Sequence, residues 1–184
     1  MGTPALIIID VQLAANHPKW GPRNNPDAEA HIEMLLAAWR AAGAPVIHIQ
    51  DYSSDPASPY HESQPTHAFP EATGPIAGET IIGKRTSSAF ASSDLERHLR
   101  GIGLNTLVFC GVHTNKCVES TVRSASDLGF DACLVSDATW TVDMKLADGT
   151  VLPAEQVHQT SLATIAGSFA QVAGTAEVIR LLAR

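Results

Sequence analysis

Short, nearly continuous apolar runs alternate along this chain with stretches whose apolar positions recur every three or four residues. Ala5–Ile9, Pro45–Ile49, Thr80–Ile82, Asn105–Val112 and Ala132–Val135 are the runs, each short enough for a strand buried on both sides. Between them, Ala28–Gly43 places Ile32, Leu35, Leu36 and Trp39 on one helical face and stops at Gly43. Asp94–Arg100, with Leu95 and Leu99 one turn apart, predicts a short helix. Asn115–Gly129, carrying Val118, Val122 and Ala125, predicts a longer one. Pro153–Ala166 and Thr175–Leu182 read as further helices, and Phe169–Val172 as a short sixth strand.

Strands separated by helices imply an α/β fold with a parallel sheet covered on both faces. In such sheets ligands bind beyond the carboxyl ends of the strands, near the point where the strand order reverses. The residues that follow each apolar run therefore deserve the closest reading. One segment breaks the rhythm: Tyr52–Gly78 is rich in Pro, Ser and His and has no period. A loop of that length is usually functional, and with Tyr60 and Phe69 in it we expect a lid or an interface loop.

Composition narrows the function classes. The 184 residues suit a single domain spanning the chain. With a formal charge of −7 and no Lys/Arg run, nucleic acid is not an expected partner. No apolar run approaches the roughly 20 residues needed to span a bilayer, and Ala5–Ile9 is too short for a signal-peptide core. The reading is a cytoplasmic protein with no membrane partner. Three cysteines, Cys110, Cys117 and Cys133, do not make a disulfide framework. Cys110 and Cys133 sit inside strand-like runs and read as small buried hydrophobes.

Three residues at run ends carry candidate chemistry. Asp10 follows the first run, where a carboxylate is costly unless paired or used; a turn former or helix cap is the plainer role. Lys84 follows the third run; a solvated strand-end lysine is the plainer role, and Arg85 is an equally placed cation. Cys117 lies in Gly111–Val118, a strand end, tight turn and helix start, where Thr114 or Asn115 can cap the helix. In a first helical turn the dipole and free N–H groups favour a thiolate and suit an oxyanion; packing of the helix start is the plainer role. A base, a cation and a thiol at the ends of three strands of one parallel sheet make a coherent nucleophilic site.

These segments resemble the isochorismatase-like hydrolases. Ile7–Gln12 (IIIDVQ) resembles that family's opening D-x-Q strand. Glu79–Lys84 with Ser88–Phe90 resembles its lysine segment, Gly111–Val118 (GVHTNKCV) its nucleophile segment, and Asp137–Thr139 its D-A-T turn. The motifs run in family order from residue 5 to about residue 172.

The resemblance implies a three-layer α/β/α fold, Rossmann-like, around a six-stranded, mainly parallel sheet. It assigns Asp10 as general base, Lys84 as its electrostatic partner and Cys117 as nucleophile. It also implies a cis peptide between Val112 and His113, with the His113 and Cys117 N–H groups forming an oxyanion hole. The implied activity is hydrolysis of a small-molecule amide or related C–N bond through a thioester, without a cofactor, in a homo-oligomer (dimer or tetramer). Nicotinamidase-like members bind a metal through Asp-x-His after the second strand; here that stretch is Asp51-Tyr52-Ser53, so no metal is expected. Substrate-binding candidates are Gln12, Trp20, Tyr52, Phe90, His113 and Trp140. The alternatives are vinyl-ether hydrolysis of the isochorismatase type, a non-catalytic binding protein, and redox sensing through Cys117.

Overall fold

The computed structural model describes residues 3–182. Six strands form one parallel sheet: β1 (Ala5–Ile9), β2 (Val46–Asp51), β3 (Thr80–Lys84), β4 (Thr106–Val112), β5 (Asp131–Trp140) and, near the end of the chain, Gln171–Ala173. A small antiparallel hairpin, β6 (Met144–Lys145) with β7 (Val151–Leu152), precedes the last strand, which is therefore β8. The sheet order is β3-β2-β1-β4-β5-β8, so the winding reverses between β1 and β4.

Alternation along the buried strands divides the core in two. Leu6, Ile8, Val46, Val108 and Cys110 point to one face and pack beneath helices α1 (Ala28–Ala41) and α5 (Thr175–Leu182). Ile7, Ile9, Ile47, Ile49, Leu107 and Phe109 point to the other. There they meet Leu95 and Leu99 of α2 (Leu95–Gly101), Val122 and Ala125 of α3 (Glu119–Asp127), and Leu162 and Ile165 of α4 (Ala154–Ala166). The result is the three-layer α/β/α arrangement.

The helical faces account for this packing. On α1, Ile32, Leu35, Leu36 and Trp39 are all buried, and the Trp39 Nε1–H donates to the Pro4 carbonyl at 2.8 Å. Burying a large apolar side chain contributes about 1.5–3 kcal/mol, so this face outweighs intrinsic helix propensity.

Several elements depart from expectation. The strand expected at Ala132–Val135 runs from Asp131 to Trp140, because the register with β4 jumps: Phe109 faces Leu134 but Gly111 faces Thr139. The extra β5 residues bulge, and in that bulge Asp137 turns its carboxylate to the start of α5, accepting from the Thr175 N–H at 2.9 Å and its hydroxyl at 2.7 Å. The helix expected at Asn115–Gly129 begins instead as a π turn, Thr114–Val118, before α3 proper. Neither Thr114 nor Asn115 caps it, since both side chains are engaged elsewhere: Thr114 Oγ1 with His158 Nδ1 at 2.8 Å, and Asn115 Oδ1 with the Thr141 hydroxyl at 2.6 Å.

The segment between Tyr52 and Gly78 is stitched to the ends of β1 and β2. The Leu13 N–H donates to the Ala68 carbonyl at 2.8 Å, and the Tyr60 hydroxyl to the Asp10 carbonyl at 3.3 Å. Among the described residues no helix is long and apolar enough to cross a membrane.

Candidate active site

The point where the sheet reverses is also where backbone sterics are tightest. Gly111, near the end of β4, has φ +116°, and a Cβ there would lie 2.2 Å from the Ile9 carbonyl oxygen. Only glycine lets β4 close on the end of β1. Asp10 itself is held left-handed, at φ 56°, with its N–H on the Ile49 carbonyl at 3.0 Å. The chain then leaves β4 through a cis peptide between Val112 and His113 and enters the π turn that carries Cys117. Single π turns inside helices recur at functional sites.

Three side chains from three elements meet here. The Lys84 ammonium, fully buried, lies 2.9 Å from Asp10 Oδ2 and 3.4 Å from Cys117 Sγ. A fourth group, absent from the expected set, joins them: Asp51 Oδ1 lies 2.7 Å from the same ammonium. The register explains it, because Asp51 of β2 pairs directly with Lys84 of β3. The signal was present in the sequence: Asp51 ends an apolar run just as Asp10 does.

The site's protonation follows from burial. Asp10 is 2 % exposed, and burial pushes its carboxyl up to about 7 against the pull of Lys84, with Asp51 adding to the rise. Its Oδ1 is buried and has no hydrogen-bond partner among the described residues. Burial and the neighbouring Asp10 push the Cys117 thiol well up, and Lys84 only partly offsets them. Against the thiolate that a helix start favours, burial and two carboxylates act the other way, and the one ammonium offsets them only in part. Lys84 loses by burial, yet Asp10, Cys117 and Asp51 together raise it, so it stays charged.

The other candidates divide. His113 is 6 % exposed, burial lowers its imidazole to about 4, and its Nε2 has no partner among the described residues. Trp20 meets the His113 ring edge-on at 5.7 Å and Tyr60 at 6.2 Å, forming an aromatic wall that reaches Asp10 through the Tyr60 hydroxyl. Tyr60 was not among the expected site residues; its loop has no periodicity to single it out.

Gln12 is a correction. Its side chain is 1 % exposed and wholly engaged: Oε1 accepts from the Asp51 N–H at 2.8 Å, and Nε2 faces the Asp51 and His67 carbonyls at 3.2 and 2.9 Å. It clamps the backbone of Asp51 and has nothing left for a substrate. Trp140 is also corrected, being fully buried in the core under α1 with the Arg23 guanidinium 4.2 Å over its ring. Phe90 packs on Phe130, past the far end of α3 from Cys117, at 5.6 Å. The Tyr52 ring lies against Gly83 and His67, and its hydroxyl donates to Gln50. Among the described residues no three His, Cys, Asp or Glu side chains group in a way that would hold a metal ion.

Comparison with known proteins fits this architecture. The isochorismatase domain model matches residues 4–177. A solved isochorismatase-family structure from Chromobacterium violaceum superposes with a TM-score of 0.95 at 45% identity, covering 98% of this chain and 94% of that one. An uncharacterized isochorismatase-family protein of Bacillus subtilis (strain 168), YrdC, is 40% identical over 175 residues, 95% of this chain and 94% of its own length. The ureidoacrylate amidohydrolase RutB of Methylobacterium radiotolerans is 30% identical over 209 residues, 95% of this chain and 77% of its own length. With a match over nearly its whole length and the fold to go with it, the chain belongs to the isochorismatase family of hydrolases.

Proposed function

We propose that this protein hydrolyses the C–N bond of a small amide or urea, with Cys117 as nucleophile, Asp10 as general base and acid, and Lys84 as the charge that holds them in register. The observation that carries the reading is the single buried ammonium touching both Asp10 Oδ2 and Cys117 Sγ. An amidohydrolase among the 30%-identical relatives supports C–N chemistry and puts carbamoyl compounds on the list of substrates to try.

At rest the thiol holds its proton and Asp10, above about pH 7, is ionised. Asp10 takes the thiol proton as Sγ attacks the carbonyl carbon, with the Lys84 ammonium 3.4 Å away offsetting the charge on sulfur. The His113 and Cys117 N–H groups receive the oxyanion. Asp10 returns the proton to the leaving nitrogen, the C–N bond breaks, and an acyl thioester remains. Water, deprotonated by Asp10, then attacks the thioester carbonyl, and the acid and the free thiol are released. The rings of Trp20, Tyr60 and His113 line one side of the site and meet it at Asp10 through the Tyr60 hydroxyl.

A panel of small primary amides and ureas assayed for ammonia release, wild type against Cys117→Ala, tests this. Turnover by the wild type and none by the variant is expected. Undiminished hydrolysis of any substrate by Cys117→Ala sinks the cysteine mechanism for that substrate and points to vinyl-ether-type chemistry instead.

A further inference from the structure

Of the charged groups around Cys117, two are almost wholly buried. The Lys84 side chain is fully buried and that of Asp10 is 3 % exposed. Asp51 is different: its side chain is 23 % exposed while one of its oxygens holds the Lys84 ammonium. Its backbone is fixed on both sides, N–H and carbonyl, by the Gln12 side chain, and its carboxylate is anchored through one oxygen on Lys84. A single ammonium separates it from the thiol, and Lys84 Nζ reaches only one of its two oxygens.

From this we infer that Asp51 determines specificity: its outer oxygen receives an N–H of the substrate, so the site takes neutral or cationic amides and ureas with an unsubstituted N–H and rejects a carboxylate at the reacting end. The inference rests on the proposed cysteine mechanism and deepens it. Charge and hydrogen bonding point the same way. Two carboxylates share one ammonium here, so the centre carries excess negative charge that repels an anion. A partly desolvated carboxylate oxygen makes a strong hydrogen bond to an N–H and loses it entirely to a carboxylate, an ester or a dialkylamide. On the aromatic wall, the His113 Nε2, without a partner among the described residues, belongs to a neutral imidazole and offers no countercharge to an anion.

Alkylation of Cys117 reads this recognition without knowledge of the substrate. The probes are iodoacetamide, its isostere iodoacetate, which is anionic and has no N–H, and 2-iodo-N,N-dimethylacetamide, which is neutral and has no N–H. In each case the Cys117 Sγ–C bond forms, the C–I bond breaks, iodide leaves with the electron pair, and the thiol proton passes to Asp10. Rates at Cys117, followed by peptide mass mapping, are divided by those of free cysteine under the same conditions. After that correction iodoacetamide is expected to exceed both other probes by about tenfold or more, the usual worth of a hydrogen bond to a charged group. In Asp51→Asn, which keeps an oxygen for Lys84, the three should fall within about threefold of one another.

Equal corrected rates for iodoacetamide and the dimethyl compound in the wild type overturn the inference, as does a wild-type preference for iodoacetate. A preference for iodoacetamide that survives intact in Asp51→Asn also overturns it, by assigning the selectivity to shape. These outcomes leave the cysteine mechanism standing. Cys117 inert to all three probes while Cys133 is labelled brings down the mechanism itself, and this inference with it. The wild-type comparison needs no variant, so it decides even if Asp51→Asn does not fold.

Discussion

Two carboxylates in this protein, Asp10 fully buried and Glu79 half-buried, meet a cation and titrate in opposite directions. Glu79, at the foot of β3, loses by burial but gains more from its partners: Arg40 grips both oxygens at 2.7 and 3.0 Å, and His48 and the Ile76 N–H add contacts at 3.0 Å. Its carboxyl is held down to about 2. Asp10, at the head of β1, has one ammonium at 2.9 Å, an unpartnered second oxygen and a second carboxylate sharing its cation, and it is pushed up to about 7. The difference has two parts: Asp10 is the more deeply buried of the two, and it is also the less satisfied. Where both oxygens have donors, the ion pair fixes structure; where one oxygen is left over beside a thiol, the carboxylate has somewhere to take a proton.

The sharpest way to break that comparison is to ask what each site does for activity. Cys117→Ala and Asp10→Asn are each expected to lower hydrolysis by about 10³-fold or more, because members of one catalytic unit fail together. Glu79→Gln, with its carboxylate at the other end of β3 from Lys84, should leave turnover of the same substrate near the wild-type value. A variant at Glu79 as inactive as Asp10→Asn would erase the functional half of the distinction.

Stability should show the reverse order. The folded pKa of Glu79 lies below its ordinary value of 4.5, so its contribution is present above about pH 4.5 and is lost as the pH falls towards 2. A shift of that size corresponds to at most about 3 kcal/mol at neutral pH, and solvent screening of this partly exposed pair reduces it. Denaturant melts of Glu79→Gln should therefore show a loss within that limit at pH 7, with the gap to wild type narrowing as both are taken below pH 4.5. A gap that stays constant with pH would mean that packing, not charge, is what the substitution removes.

A smaller effect tests the electrostatics around Asp10. In the proposed mechanism Asp10 acts as base only when ionised, so kcat/KM should climb with pH through a limb near 7. Asp51 is one of the groups that raises Asp10, and removing its charge in Asp51→Asn should move that limb down by about half a pH unit. A limb that stays put would take Asp51 out of the proton balance while leaving its contact with Lys84 intact.

How much of this was legible beforehand depended on whether the signal was local. The runs Ala5–Ile9 and Asn105–Val112 announced buried central strands, and Asp10, Lys84 and Cys117 stood out as candidates because each ends a run or opens a helix. The β6/β7 hairpin, two residues a side, is shorter than any hydrophobic period. The Asp51–Lys84 pairing depends on the strand order and register of β2 and β3, which no local pattern states. Gln12 and Trp140 misled for a related reason. Their side chains follow or end strands at the site's edge, but Gln12 is taken up by the Asp51 backbone and Trp140 by the core beneath α1.

The smallest effect is also the most direct test of Asp10. Because its folded pKa is raised above the ordinary 3.8, the ionised carboxylate costs the fold stability as the pH climbs from about 4 to above 7, the opposite sense to Glu79. Asp10→Asn removes that cost but also deprives Lys84 of one partner, leaving it Asp51. The two changes oppose each other, so the net shift should be within about 1 kcal/mol. Its pH dependence carries the information: thermal melts of Asp10→Asn against wild type should become relatively more favourable to the variant between pH 4 and pH 8. If the variant instead loses ground over that range, Asp10 is a satisfied structural anion like Glu79. The case for a carboxylate kept hungry for a proton then fails along with the comparison.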